Sequence, residues 1–196
     1  MPRGIRISRE DIINAGIELV RESGYEALSA RSIATRLNCS TQPLFSNFSS
    51  MTALFEAVVL RAWDIYTATL ERDMQAGVFP PYKASGMSYI LFARSEPELF
   101  RLLFMRDRRG DPDPEARGNE EQILALLAGS AGLSLADARA LHTEMWIFVH
   151  GLAVMTATHF MPWDDAAMSD MLSDIYFSAL SRFKERAGSI EEEGTP

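Results

Sequence analysis

Residues 38–50 read NCSTQPLFSNFSS, a run of small polar side chains around Leu44, Phe45 and Phe48 with no charge among them. The stretch lies between two segments whose apolar residues recur with the helical period, and it is too polar to be core itself. Asn38 tolerates positive φ and can turn the chain out of a preceding helix. Ser40 is placed to cap the next helix. Pro43 then falls in its first turn, where a missing amide has no bond to lose. Upstream, Ser29 caps a short helix over 30–37 with Ile33, Ala34 and Leu37 turned inward. Two short helices joined by a tight turn, the second opening on small polar residues, form the pattern of a DNA-reading helix-turn-helix. Ile33, Leu37, Cys39 and Leu44 have the spacing of its inward groups, and Phe48 joins Leu44 as an anchor. Thr41, Gln42, Phe45, Ser46 and Asn47 remain outward, hydrogen-bonding groups and one ring suited to base edges and thymine methyls. Phe45 straddles both roles.

Outward from this motif, nearly every periodic segment is helical. Ser8 and Asp11 form a capping box for a helix that Gly24 ends. Ser49 or Ser50 starts a long helix to about residue 76, stopped by Gly77. Helices are expected near 82–95 and 97–106, an exposed loop over 106–121, and further helices over 119–130, 134–160 and 167–187. Ser134 with Asp137 repeats the capping box. The fold class is all-α: an N-terminal three-helix domain with the helix-turn-helix, and a C-terminal antiparallel helical bundle. The expected division is 1–50 for DNA binding, linked by the long helix 51–76, and 51–187 for ligand binding and dimerisation. Residues 188–196 form a flexible tail.

Composition sets the outer limits. Hydrophobic residues are 47% and charged ones 23% of 196, ordinary for a globular protein. The single cysteine, Cys39, excludes an internal disulfide and suits a reducing cytosol, so the expected location is cytoplasmic. The N-terminus leads into a charged amphipathic run rather than an apolar leader. Met145–Trp163 carries no formal charge, but His150, Thr156, Thr158, His159 and Pro162 interrupt it, so a buried helix is expected and no membrane span. The net charge of −8 is unevenly spread. Residues 1–61 hold seven arginines against six acids, and the remainder twelve basic residues against twenty-one acidic ones. Phosphates can therefore be met only by the N-terminal part.

The stretch ISREDIINAGIELVRESGYEALSARSIATRLNCSTQPLFSNFSSMTALFEAVV, residues 7–59, resembles the N-terminal domain of the tetracycline-repressor (TetR) family of bacterial transcription regulators. The Gly24-Tyr25 corner, the Leu28-Ser29 lead-in, the Ile33-Ala34 pair and Leu44-Phe45-x-x-Phe48 share its spacing. Trp146-x-x-x-His150-Gly151 resembles a Trp-His-Gly motif in the C-terminal domain of one branch. The resemblance implies a homodimer with one helix-turn-helix per subunit and a helical C-terminal domain for a small ligand. It implies repression relieved when that ligand changes the spacing of the two reading heads. Two positions depart from the family: Phe45 replaces a tyrosine, and Met51 a lysine at the start of the fourth helix. Both remove backbone contacts, leaving Arg3, Arg6 and Arg31 with the amides of capped helix starts to meet phosphates. The expected DNA-binding set is Arg6, Ser29, Arg31 and Ser40 with Thr41, Gln42, Phe45 and Asn47.

The remaining chemistry-bearing residues form no catalytic or metal pattern. His142 and Glu144 point about 200° apart on one helix, and no His-x-x-x-His or Glu-x-x-His pair exists. Glycine-rich phosphate loops and nucleophile elbows are absent, so neither an enzyme nor a cofactor is expected. Trp63, Tyr66, Phe92, Phe104 and Trp146 would serve equally as core or as the wall of a pocket for a small apolar or aromatic effector. His150 is a core, interface or ligand-contacting histidine. Apolar or small residues at 138, 141, 145, 148, 152, 155 and 159, and at 168, 172, 175, 179 and 183, form two stripes. A four-helix bundle across a two-fold axis would bury them. The leading reading is a ligand-responsive regulator on a palindromic operator. The alternative is a helical ligand-binding or interaction module with a weak or vestigial helix-turn-helix.

Overall fold

The first helices begin and end at local backbone signals. The computed structural model describes residues 7–109 and 120–193, and every regular element among them is helical. In chain order these are α1 (Arg9–Ser23), α2 (Ala30–Arg36), α3 (Gln42–Asn47), α4 (Met51–Gln75) and α5 (Pro81–Ser95). They continue with α6 (Pro97–Phe104), α7 (Glu120–Ala131), α8 (Leu135–Ala157) and α9 (Asp165–Glu193), and a short 3₁₀ turn, Tyr25–Ala27, follows α1.

The capping box of α1 is present in full: Asp11 N–H donates to Ser8 Oγ at 3.1 Å and Ser8 N–H to Asp11 Oδ2 at 2.8 Å. Gly24 ends the helix at φ 78°, a conformation glycine adopts freely. α2 ends on Asn38 at φ 49°. Asn38 N–H reaches the Thr35 carbonyl and Cys39 N–H the Ala34 carbonyl, at 3.1 and 2.9 Å. That pair of bonds is a Schellman closure with asparagine in place of glycine.

Two compact units result. The first comprises the described residues up to Thr69 together with Phe92–Asp107. Its core gathers Ile12, Ile17 and Val20 of α1, Ile33 of α2, Leu44 and Phe48, Val58 of α4, and Leu99 and Phe100 of α6, all at most 3% exposed. α1 packs against α2, α3 and α6. The second unit is Leu70–Leu91 with the described residues from 108 onward. Leu127, Ala131, Ala138, Leu141, Met145, Ala179 and Phe183 form a core cluster there, flanked by Tyr82, Leu133 and Tyr176. The first nineteen residues of α4 and all of α6 fall in the same unit as the helix-turn-helix.

Three expectations are corrected. Ser40 does not cap α3; Thr41 holds the N-cap position and makes no side-chain cap bond. α8 stops at Ala157 rather than 160. His159 takes φ 53°, Phe160 N–H closes on the Met155 carbonyl at 2.9 Å, and Pro162 follows. The inward stripe of α8 runs Ala138, Leu141, Met145, Val149 and Leu152, so Phe148 and Met155 leave the register. A straight helix drifts from a strict 3-4 repeat by about 20° per heptad, and this one follows its own 3.6-residue period. α9 runs to Glu193; residues 194–196 lie outside the described residues, as do Arg6 and most of the 106–121 loop.

Candidate functional site

α3 is six residues long, and its two sides differ completely. Leu44 and Phe48 are 1% and 3% exposed, whereas Phe45 is 53% exposed. Thr41, Gln42 and Ser46 are also exposed. The inward anchors occupy positions i and i+4, so Gln42 and Ser46 fall on the opposite side and Phe45 at its edge, while Thr41 is exposed at the N-cap, ahead of the helix. Asn47 is half-buried and its amide donates to the Pro43 carbonyl at 2.8 Å, turned back on its own helix. Phe45, expected to straddle core and surface, is on the surface. Ser40, Arg31 and Ser29 are exposed. Ser29 is committed to α2: its Oγ accepts from Ser32 N–H at 3.1 Å. α4 starts in the same way, with Ala53 N–H donating to Ser50 Oγ at 3.1 Å.

Polar clamps from α1 hold this unit together. Arg21 donates to both carboxylate oxygens of Glu96, before α6, at 2.9 and 2.6 Å. Glu22 accepts twice from Arg36 of α2 at 2.6 and 2.7 Å. Arg61 of α4 donates to Glu10 Oε1 at 2.6 Å and Asn14 Oδ1 at 2.9 Å. No pattern in the sequence pointed to these pairs, whose members lie up to 75 residues apart.

The six expected ligand residues form two groups. Trp63, Tyr66, Phe92 and Phe104 lie in the first unit and pack on one another. Tyr66 meets Trp63, Phe92 and Phe104 edge to face at ring separations of 5.8, 5.2 and 5.3 Å. Burial pushes the Tyr66 phenol above its ordinary pKa. Trp146 and His150 lie in the second unit, stacked at 5.2 Å with 11° between planes. His150 Nδ1 is 2.9 Å from the hydroxyl of Tyr89, a residue sequence reasoning passed over. Burial pushes the His150 imidazole below its ordinary pKa. A second rung repeats the arrangement, with Tyr82 Oη 3.1 Å from His142 Nδ1. The spacings 82/89 and 142/150, two helical turns each, were the available signal.

Among the described residues no three His, Cys, Asp or Glu side chains gather as metal ligands. No single helix among them is long and apolar enough to cross a membrane.

Residues 12–58 match the family described as bacterial regulatory proteins, tetR family, and residues 82–175 match the tetracyclin repressor-like C-terminal domain. Both domains of one family are thus present in order. The chain belongs to the tetracycline-repressor family. It is 28% identical over 178 residues to the uncharacterized HTH-type transcriptional regulator Rv0681 of Mycobacterium tuberculosis, covering 87% of this chain and 80% of that protein. Its fold is similar to that of a TetR-like transcriptional regulator from Rhodococcus sp. RHA1 (TM-score 0.68, 16% identity, 92% of this chain and 98% of the other). A putative transcriptional regulator from Pseudomonas aeruginosa PAO1 is similar to the same degree (TM-score 0.67, 14% identity, 93% and 98%). As a member of this family, the chain is a transcriptional regulator with a DNA-binding helix-turn-helix and a ligand-binding C-terminal domain.

Proposed function

We propose that this TetR-family regulator is a repressor that a small apolar or aromatic effector releases from a palindromic operator. The observation that carries the reading is the two-sidedness of α3. Leu44 and Phe48 sink it into the first unit, while Thr41, Gln42, Phe45 and Ser46 are exposed, Phe45 by 53%. Thr41 and Gln42 supply the base-edge hydrogen bonds. Phe45 meets a thymine methyl or sugar, and Arg31, Ser29 and Ser40 lie beside phosphates, with Arg6 preceding them in the chain. Asn47, bonded to Pro43, shapes the end of the reading helix.

The effector site is assigned to the second unit, at Trp146 and His150. The stacked pair is partly exposed, Trp146 by 48%, and offers an aromatic face beside a polar ring. The resemblance of Trp146-x-x-x-His150-Gly151 to the Trp-His-Gly motif is in keeping with that placement. The cluster of Trp63, Tyr66, Phe92 and Phe104 takes the role of packing in the first unit, because its rings already satisfy one another edge to face. The homodimer forms through α8 and α9. Ile147, Gly151 and Val154 follow at helical spacing on α8, and beyond the helix's own turn no described residue comes within 4 Å of where a Gly151 side chain would begin.

A band shift with the intergenic DNA beside its own gene, repeated with candidate metabolites, tests this function. Binding that an apolar or aromatic compound weakens is the expected result. Calorimetry then checks reciprocity: if the effector weakens DNA by typically ~1–3 kcal/mol, DNA must weaken the effector equally. Binding that no compound alters, or a compound that tightens it, would refute effector-released repression.

A further inference from the structure

The amino end of α1 meets the carboxyl end of α3 at Arg9. Its Nη1 donates to the Asn47 carbonyl at 3.1 Å, and its guanidinium carbon lies 4.1 Å from the centroid of the Phe48 ring. Asn47 is the last residue of α3, and Phe48 turns the chain into extended backbone at φ −133°. A six-residue helix with no side-chain cap at its start has little intrinsic stability. Its orientation depends on what grips it from outside. Leu44 and Phe48 grip one face. Arg9 covers the Phe48 ring, satisfies a carbonyl that has no partner within the helix, and places a cation at the negative end of the helix dipole.

We propose that Arg9 is a positioning residue for sequence reading. From α1 it clamps the end of α3, so that Thr41, Gln42 and Phe45 meet base edges in the correct tilt and register. An exposed arginine next to a reading helix is ordinarily assigned to a phosphate. Here the guanidinium carbon lies over the Phe48 ring and one N–H is on the Asn47 carbonyl, so contacts within the protein already fix where the group sits. The Glu10–Arg61 and Arg21–Glu96 pairs tie the same helix to α4 and α6, which makes α1 a stiff mount for the clamp. The inference rests on α3 being the reading helix, which the wild-type measurement tests first.

The experiment compares two duplexes: one enriched by the wild-type protein from a randomised pool, and a scrambled version of it. Arg9→Ala should lose about tenfold or more on the enriched duplex, the size of one lost base contact. It should bind the scrambled duplex as wild type does, with the same slope of log affinity against log salt. Arg9→Lys keeps the charge but cannot stack flat and donate at once, so it should share the selective loss. Melting curves of both variants set a working temperature below unfolding, and Arg9→Lys keeps the test available if Arg9→Ala folds poorly. Equal losses on both duplexes with a slope shallower by about 0.9 would mean that Arg9 is a phosphate contact. Full rescue by lysine, or unchanged binding by both variants, would also overturn the proposal. A wild type that enriches no sequence would instead overturn its premise.

Discussion

Asn38 and His150 show how one side chain sets the behaviour of its surroundings. Asn38 holds φ 49° in the turn between α2 and α3, where a β-carbon strains against its own backbone unless asparagine or glycine is present. Asn38→Ala should lower stability by ~1 kcal/mol and weaken DNA binding in proportion to the unfolded fraction. Asn38→Gly should leave both near wild type, and denaturant titration of the two variants checks the pair. His150 stands against the Tyr89 hydroxyl and the Trp146 ring, and burial depresses its pKa. A depressed histidine resists protonation when folded but not when unfolded, so the unfolded state binds more protons as pH falls. The stability tied to neutral His150 is therefore whole above the ordinary histidine pKa, and it drains away as pH drops through that value toward the folded one. In the protonated ring both nitrogens donate, so the Tyr89 hydroxyl must then accept from Nδ1. His150→Gln should flatten this part of the pH–stability profile, measured by thermal melting from neutral pH to below the ordinary histidine pKa. Parallel profiles for wild type and variant would show that His150 is not the group responsible.

At the scale of elements, what was legible in the sequence is what lies within four residues along the chain. Ser8 with Asp11, Ser29, Gly24, Asn38, Gly77 and Ser134 marked helix ends correctly because caps and left-handed stops are local chemistry. Ser40 misled because Ser40 and Thr41 are adjacent and both suit an N-cap; the register of Leu44 and Phe48 against the core selects Thr41. The long-range clamps were not legible, since many arginines and acids could have paired and only folding selects Arg21–Glu96 or Arg61–Glu10. Nor was the close approach of α1 to α4. A β-carbon on Gly16 would stand 2.6 Å from Val58 Cγ2, and Val58 is fully buried. Overpacking of that kind costs typically ~1–3 kcal/mol, more than the ~1 kcal/mol of helix propensity alanine returns. Gly16→Ala should therefore lower the melting temperature. Gly129, inside α7 with nothing within 4 Å of its β-carbon position, has only the propensity term. Gly129→Ala should stabilise by about 0.4–1 kcal/mol, and if both glycines respond alike the packing argument at Gly16 fails.

At the scale of the molecule, the all-helical class and the helix-turn-helix were legible, and which helices pack on which was not. Periodicity reports which face of α4 is apolar but not which neighbour covers it. The α9 stripe shows the same limit: Met168, Leu172, Ala179 and Phe183 are buried within the chain itself and only Ile175 is open, 41% exposed, while Phe177, outside the stripe, is 63% exposed. Members of this family act as dimers, and a two-fold operator needs two reading helices at a fixed separation. The exposed apolar groups of α8 and α9 are the surface proposed for that contact. Phe148 is half-buried, so a charge there would damage the protomer and its partner contact together. Ile175→Glu is the cleaner probe, because it adds a charge where the protomer is already open to water. The variant should melt close to wild type when diluted below the wild-type dimer's dissociation range and elute as a monomer at concentrations where wild type elutes as a dimer. It should bind a palindromic duplex no better than a single half-site, since each protomer then engages alone. A variant that remains dimeric would place the subunit contact elsewhere on the chain.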